Sequence, residues 1–286
     1  MKITNDWHIH TNHSTCADPT SSMQRIMDTA ASAGIVEFGV TDHSYTVAND
    51  ESLRSARSEF DSLDRPKGFH FGVEATCLRL ADEKSSCEAS GSGGTWRYSA
   101  DVGAEGQLTI HLNKEMCDEL GIEYLLGEAK WPLGCPLKQD CVIRSYHHQY
   151  LFLAKHPLIA AVAHPWCLMG PWRLSDGSRT ESFQLRDFKS VPESMHDEFA
   201  AALKEHNTLM ELPGAILLPP HKMYATSFMN SYSDYVVGMK ERGVRFCFGS
   251  DSHGPGYVHR SEEAAAVLSL LGFTEEDFDS PLGRMR

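Results

Sequence analysis

Imidazoles and carboxylates recur along this chain in short groups: His8-x-His10, Asp42-His43, Glu74, His164 and Asp251-x-His253. In an extended strand, residues i and i+2 face the same side, so His8 and His10 can point into one site and hold one cation. Neutral imidazoles together with carboxylates suit borderline divalent ions such as zinc, manganese and iron. A carboxylate can also bridge two ions, and Glu74 is the candidate for that. Such ions bring the pKa of coordinated water toward about 7 and polarise a substrate oxygen, so the chemistry in prospect is hydrolysis by a metal-activated hydroxide. A lone HxH says little; the recurrence of ligand-type residues at one kind of position is the stronger sign.

That position is the end of a short apolar run. Trp7–His10 is the first, and Glu37–Thr41 leads into Asp42-His43. Phe69–Val73 leads into Glu74, Glu123–Gly127 into Glu128 and Lys130, Ile159–Ala163 into His164, Thr208–Met210 into Glu211, and Val244–Gly249 into Ser250 and Asp251. These runs have the length of buried parallel strands. Between them Ser22–Ala33, Ile143–Ala154, Met195–His206, Ser231–Arg242 and Ser261–Leu271 read as helices, the first stopped by Gly34 as a C-cap. Alternating strands and helices, with chemistry at the C-terminal end of seven strands, predict a β/α barrel rather than an open doubly wound sheet. No glycine-rich phosphate loop follows a strand. Residues 80–118 break the rhythm, and 85–106 are rich in Gly and Ser; they predict an insertion on the active-site face, with a hairpin of Thr95–Ser99 and Gln107–Leu112.

Composition narrows the partners. The 286 residues suffice for one large α/β domain, and the whole chain is read as one. A net charge of −13 without a Lys/Arg cluster disfavours long nucleic acid but leaves room for a small phosphorylated substrate. No run approaches a membrane span, and MKITNDWHIH lacks the features of a signal peptide, so a cytoplasmic location is expected. The eight cysteines form no C-x-x-C pair and read as reduced thiols, with Cys16 a separate case.

The ordered set His8-Ile-His10-Thr, Thr41-Asp42-His43-Ser44, Gly72-Val73-Glu74-Ala75, Ala163-His164-Pro165 and Gly249-Ser250-Asp251-Ser252-His253 resembles the polymerase and histidinol phosphatase (PHP) family. The resemblance spans nearly the whole chain. It implies a distorted (β/α)7 barrel holding up to three metals and hydrolysing phosphoesters, of the histidinol phosphate or nucleotide kind. It further implies that His8, His10, Glu74 and Asp251 surround a first metal, that Glu74 bridges to a second bound also by His164, and that His43 and His253 hold a third, with Asp42 orienting the site. Asp251 and His253 then stand at the reacting centre.

Two positions depart from the family pattern. Cys16 stands where a histidine is usual; its thiolate is a candidate ligand, with His13 and Asp18 as nearby substitutes. Gly127-Glu128-Ala129-Lys130 stands where the family has G-S-x-H, so Lys130 replaces a ligand. An ammonium there would repel a cation and bind substrate phosphate directly, unless Glu128 turns inward and restores a ligand. One to three divalent ions are therefore expected. Glu211 is read as structural support, Arg260 as a phosphate contact or a salt bridge, and His147-His148 as non-ligands. Trp166 and Trp172 are read as pocket or packing residues. Two rival functions remain: an amidohydrolase-type C–N or C–O hydrolase, in which Lys130 is carboxylated, and a metal-binding module without catalysis.

Overall fold

The structure, a computed structural model, describes residues 1–80, 107–136, 138–167, 188–218, 226–254 and 260–286. Seven parallel strands run in the order β1 (Asn5–Ile9), β2 (Glu37–Ser44), β3 (Phe69–Thr76), β6 (Tyr124–Glu128), β7 (Ile159–Val162), β8 (Leu209–Pro213) and β9 (Phe246–Gly249). The ends of the sheet meet through Ser252: the His10 amide donates to its carbonyl at 2.8 Å, and its own amide donates to the His8 carbonyl at 3.4 Å. The result is the expected distorted (β/α)7 barrel.

Helices α1 (Met23–Ala33), α4 (Gln139–Lys155), α5 (Glu193–His206), α7 (Thr226–Glu241) and α8 (Ser261–Leu270) fall where apolar spacing predicts them, within a few residues. Ser22 caps α1 by accepting from the Arg25 amide, and Gly34 ends it at φ 69°. Helices α2 (Asp50–Ser62) and α3 (Lys114–Glu119), and the single turn α6 (Gly214–Leu217), are additions to the sequence reading. In α2 only Leu53, Ala56 and Phe60 are buried, and the surrounding charges obscure that stripe.

Strand alternation separates two interiors. Phe69, Phe71, Val73 and Ala75 of β3 face the helices, whereas His70, Gly72 and Glu74 face inward. The inner floor is packed by Trp7, Tyr124, Leu126, Ala161, Leu209 and Cys247. The Tyr124 hydroxyl donates to the Trp7 carbonyl at 2.9 Å, and its ring fills the space that a Cβ at Gly39 or Gly72 would need. This floor closes the barrel below the chemistry-bearing layer.

Two expectations about extent are corrected. Strands β2 and β3 continue past their apolar runs, so His43 and Glu74 lie inside strands and face each other in register. In the 80–118 segment, β5 (Leu108–Thr109) pairs antiparallel with β4 (Leu78–Arg79). The other expected partner, Thr95–Ser99, lies outside the described residues. Among the described residues no helix is long and apolar enough to cross a membrane.

Candidate metal centre

The centre begins with an irregularity in β1. Asp6 pairs with Phe38 and Ile9 with Val40, so three steps on β1 match two on β2. This bulge changes the facing of the strand. Asp6 lines a small cavity with Ile35, Phe248 and Ala264, while His8 and His10 both enter the barrel. Two more residues arrive through unusual backbone: His164 at φ 25° and Asp251 at φ 51° follow β7 and β9 directly. Left-handed backbone at non-glycine residues costs energy and collects at functional sites.

Four side chains then converge. His8 Nε2 lies 3.1 Å from His10 Nε2, 3.5 Å from Glu74 Oε2 and 3.4 Å from Asp251 Oδ1. His10 Nε2 lies 3.6 Å from Glu74 Oε2 and 3.3 Å from Asp251 Oδ1. Ligands about 2.0–2.2 Å from a tetrahedral ion stand about 3.3–3.6 Å from one another. These separations therefore fit one cation. His43 Nδ1 comes within 2.7 Å of Glu74 Oε2, so the His43 ring meets the same carboxylate oxygen that His8 and His10 face.

The outward ring nitrogens fix the tautomers. His8 Nδ1–H donates to Glu211 Oε1 at 2.7 Å, and His253 Nδ1–H donates to the Asp251 carbonyl at 3.0 Å. The Ser14 hydroxyl donates to Asp42 Oδ1 at 2.6 Å and faces His10 Nδ1 at 3.4 Å. Each ring thus keeps Nε2 for the centre, an arrangement common to metal-binding histidines.

Charge follows the same plan. Burial would depress the His8 imidazole, but Glu211, Glu74 and Asp251 hold it well above its ordinary value. His10 is held well below, by burial and by the neighbouring His43 and His253 rings. Burial would raise Glu74, yet His8 and His43 and the His164 hydrogen bond keep it well below the carboxylate range. Buried carboxylates and imidazoles of this kind require a positive charge among them, supplied by a proton or a cation.

Glu74 also faces the other way. Its Oε1 is 2.9 Å from His164 Nε2, and the His164 amide donates to Glu211 Oε2 at 2.7 Å. His8, His164 and Glu211 form one group with ligand atoms in common reach, and His43, Glu74 and Glu128 form another. Cys16 lies with His10, His43 and His253, and burial, followed by the charges of Glu74 and Asp251, pushes its thiol up to about 12. The substitutes named for it lie elsewhere: His13 bonds Glu59 at 2.7 Å, and Asp18 is exposed, accepting from Thr20.

Of the two inward alternatives at β6, Glu128 is fully buried and Lys130 Nζ lies beside it, 3.1 Å from Oε1 and 2.7 Å from the Tyr45 hydroxyl. Arg260, at the start of α8, pairs with Glu263 at 2.7 Å. His147 bonds Glu198 between α4 and α5, and Trp166 is buried edge-on against Tyr150. Trp172 lies outside the described residues. Asp6, Thr11, Ser14 and Tyr45 escaped the sequence reading. Asp6 accepts from the His8 and Ser250 amides, tying β1 to the loop after β9. Asp42 accepts from the Thr11 amide and hydroxyl as well as from Ser14, so it orders the loop after His10.

Among solved structures the chain is similar to HisK, a candidate histidinol phosphatase from Listeria monocytogenes, with 12% identity, a TM-score of 0.54, and coverage of 91% of this chain and 98% of that one. The fold is PHP-like. A Xaa-Pro dipeptidase with bound methionine in its active site is also similar, at 12% identity and TM-score 0.46, over 95% of this chain and 71% of that one. So is the A. niger ochratoxinase, at 12% and 0.42, over 94% and 66%. No family model matches the sequence, and no curated protein sequence does. In the PHP-like barrel the chemistry-bearing layer lies at the C-terminal face of the strands, where β/α barrels carry their active sites.

Proposed function

We propose that this chain is a metal-dependent phosphoesterase hydrolysing a small phosphorylated metabolite. The observation that carries the reading is the position of Glu74: Oε2 faces His8, His10 and His43, and Oε1 faces His164. A carboxylate with donors gathered at both oxygens suits two neighbouring cations, zinc, manganese or iron. Cations bound there would supply Lewis acidity toward a phosphoryl oxygen and a water-derived nucleophile at neutral pH.

The chain's own residues do the rest. His8, His10, Glu74 and Asp251 are the first ligand set and His164 the second, with His43, His253 and Cys16 adjoining. Glu211 and Ser14 hold the His8 and His10 rings in place. The His253 side chain is 38% exposed where His8 and His10 are fully buried, so it is the ring of this set that an incoming substrate meets. The Lys130 ammonium is paired with the buried Glu128 carboxylate, so it balances that charge beside the centre rather than adding a free cation. The net charge of −13 supports a small phosphomonoester over long nucleic acid.

The amidohydrolase alternative would use Lys130 as a carboxylated, negatively charged ligand. Its Nζ lies against the Glu128 carboxylate at 3.1 Å, a contact that suits an ammonium and opposes a carbamate. The test is phosphate release from a panel of phosphomonoesters, run beside amide and lactone substrates with Mn2+, Fe2+ or Zn2+ restored. The expected outcome is phosphate release that falls at least about 100-fold in Asp251→Asn. Amide or lactone turnover without phosphate release would overturn the reading, and metal binding without any turnover would favour a non-catalytic module.

A further inference from the structure

Glu128 ends β6 with a fully buried carboxylate inside the barrel. The Thr76 hydroxyl donates to its Oε2 at 2.9 Å, and its ligand atoms stand in common reach of His43 and Glu74. Two carboxylates and an imidazole so grouped make a natural seat for a divalent ion. A cation of this chain's own is already beside it. Lys130 Nζ lies 3.1 Å from Glu128 Oε1, 3.4 Å from Oε2 and 2.7 Å from the Tyr45 hydroxyl. The ammonium is also 4.8 Å from the centre of the Tyr45 ring, which itself stacks on His43 at 4.8 Å and 22°. A phenol oxygen and a buried carboxylate both stabilise an ammonium by accepting its hydrogen bonds.

We propose that Lys130 is a built-in cation that keeps Glu128 out of the metal-binding set and so limits how many metal ions the centre holds. The inference rests on the metal-centre reading above but not on the identity of the substrate. A divalent ion seated on Glu128 would stand close to the ammonium, and like charges in a partly desolvated site repel strongly, so the ammonium weakens ion binding there. The ammonium is tethered by two residues of chain to Glu128 itself, so its local concentration exceeds that of any free ion. Removing it leaves Glu128 buried beside Glu74 and His43 without its neutralising partner, and a divalent ion is the available replacement.

The experiment counts metal rather than turnover. Wild-type protein, Glu128→Gln, Lys130→Met and the double variant are each dialysed against Mn2+ or Zn2+, and bound ions are measured by elemental analysis. Glu128→Gln is expected to keep the wild-type number, Lys130→Met to gain one equivalent, and the double variant to lose that gain. Loss of an equivalent in Glu128→Gln would make Glu128 a metal ligand and overturn the proposal. So would an unchanged count in Lys130→Met. If Lys130→Met does not fold, the isosteric Glu128→Gln decides alone. A wild-type protein that binds no ion removes the metal-centre reading and this proposal with it, whereas a wild-type count of one or more with no gain in Lys130→Met removes only the proposal.

Discussion

The two nitrogens of His8 serve different partners: Nδ1 is committed to Glu211 at 2.7 Å, and Nε2 faces His10, Glu74 and Asp251. Glu211 also accepts from the His164 amide, so one carboxylate orients ligands on both sides of Glu74. Glu211→Gln retains the shape but removes the charge and places an NH2 group against a donor. Metal affinity should fall about 10–100-fold with the fold intact. Competition against a chromophoric chelator checks this, and unchanged affinity would reduce Glu211 to packing. Gly249 belongs to the same arrangement. A Cβ there would overlap Glu211 Oε1 and stand 2.6 Å from His8 Cβ. Gly249→Ala should therefore weaken metal binding in the same direction and destabilise the protein by about 1–3 kcal/mol in urea unfolding. Residue types and spacing were enough to mark side chains that the barrel brings within common reach of one another. The pairing of His8 with Glu211 was not legible, because 203 residues separate them and only closure of the barrel brings them together.

Strand β1 and the loop after β9 are joined by Asp6, whose Oδ1 accepts from the His8 amide at 3.3 Å and the Ser250 amide at 2.8 Å. Asp6→Ala would leave two buried donors unpaired, each worth about 1–3 kcal/mol. Asp6→Asn keeps an acceptor oxygen at the same place. The alanine variant should lose stability by at least about 2 kcal/mol in urea unfolding, while the asparagine variant stays near wild type. Equal losses in both would assign the effect to the charge rather than to the amide bonds. Apolar runs located all seven barrel strands, and Ser22 and Gly34 marked the ends of α1, because these cues are local. The bulge at Trp7–His8 carries no local cue, since nothing in NDWHI distinguishes three steps against two. The polar ends of β2 and β3 extend further for a related reason: Asp42, His43 and Glu74 read only as the ends of apolar runs until a barrel interior gives them somewhere to point. Helix α2 was missed because the charges of DESLRSARSEFDS outweigh its three buried residues.

Taken as a whole, the barrel holds buried carboxylates and imidazoles around one interior, and its stability depends on which positive charge neutralises them. Burial would lower His164, but the hydrogen bond and charge of Glu74, with Asp251 and Glu211, push it up to about 9. His8 is also held well above its ordinary value, by Glu211, Glu74 and Asp251 acting against burial. A folded-state value above the unfolded one means that the stability gained from the protonated ring is complete below about pH 6.5. It is lost as pH rises through about 9. Chelator-treated protein should therefore melt at progressively lower temperature between pH 7 and 9.5. Metal ligation has the opposite demand, since the imidazoles must be deprotonated to bind. A saturating divalent ion should stabilise more as pH rises over that window. At an ion concentration about 1,000 times Kd the gain is about 4 kcal/mol, or on the order of 8 °C for a chain of this size. The exchange also predicts that binding at pH 7.5 releases at least one proton per protein. Calorimetric titration of the ion in two buffers of different protonation enthalpy measures that number directly. Identical heats in both buffers would mean that the rings are already neutral, and that the carboxylates around them are balanced by some other charge.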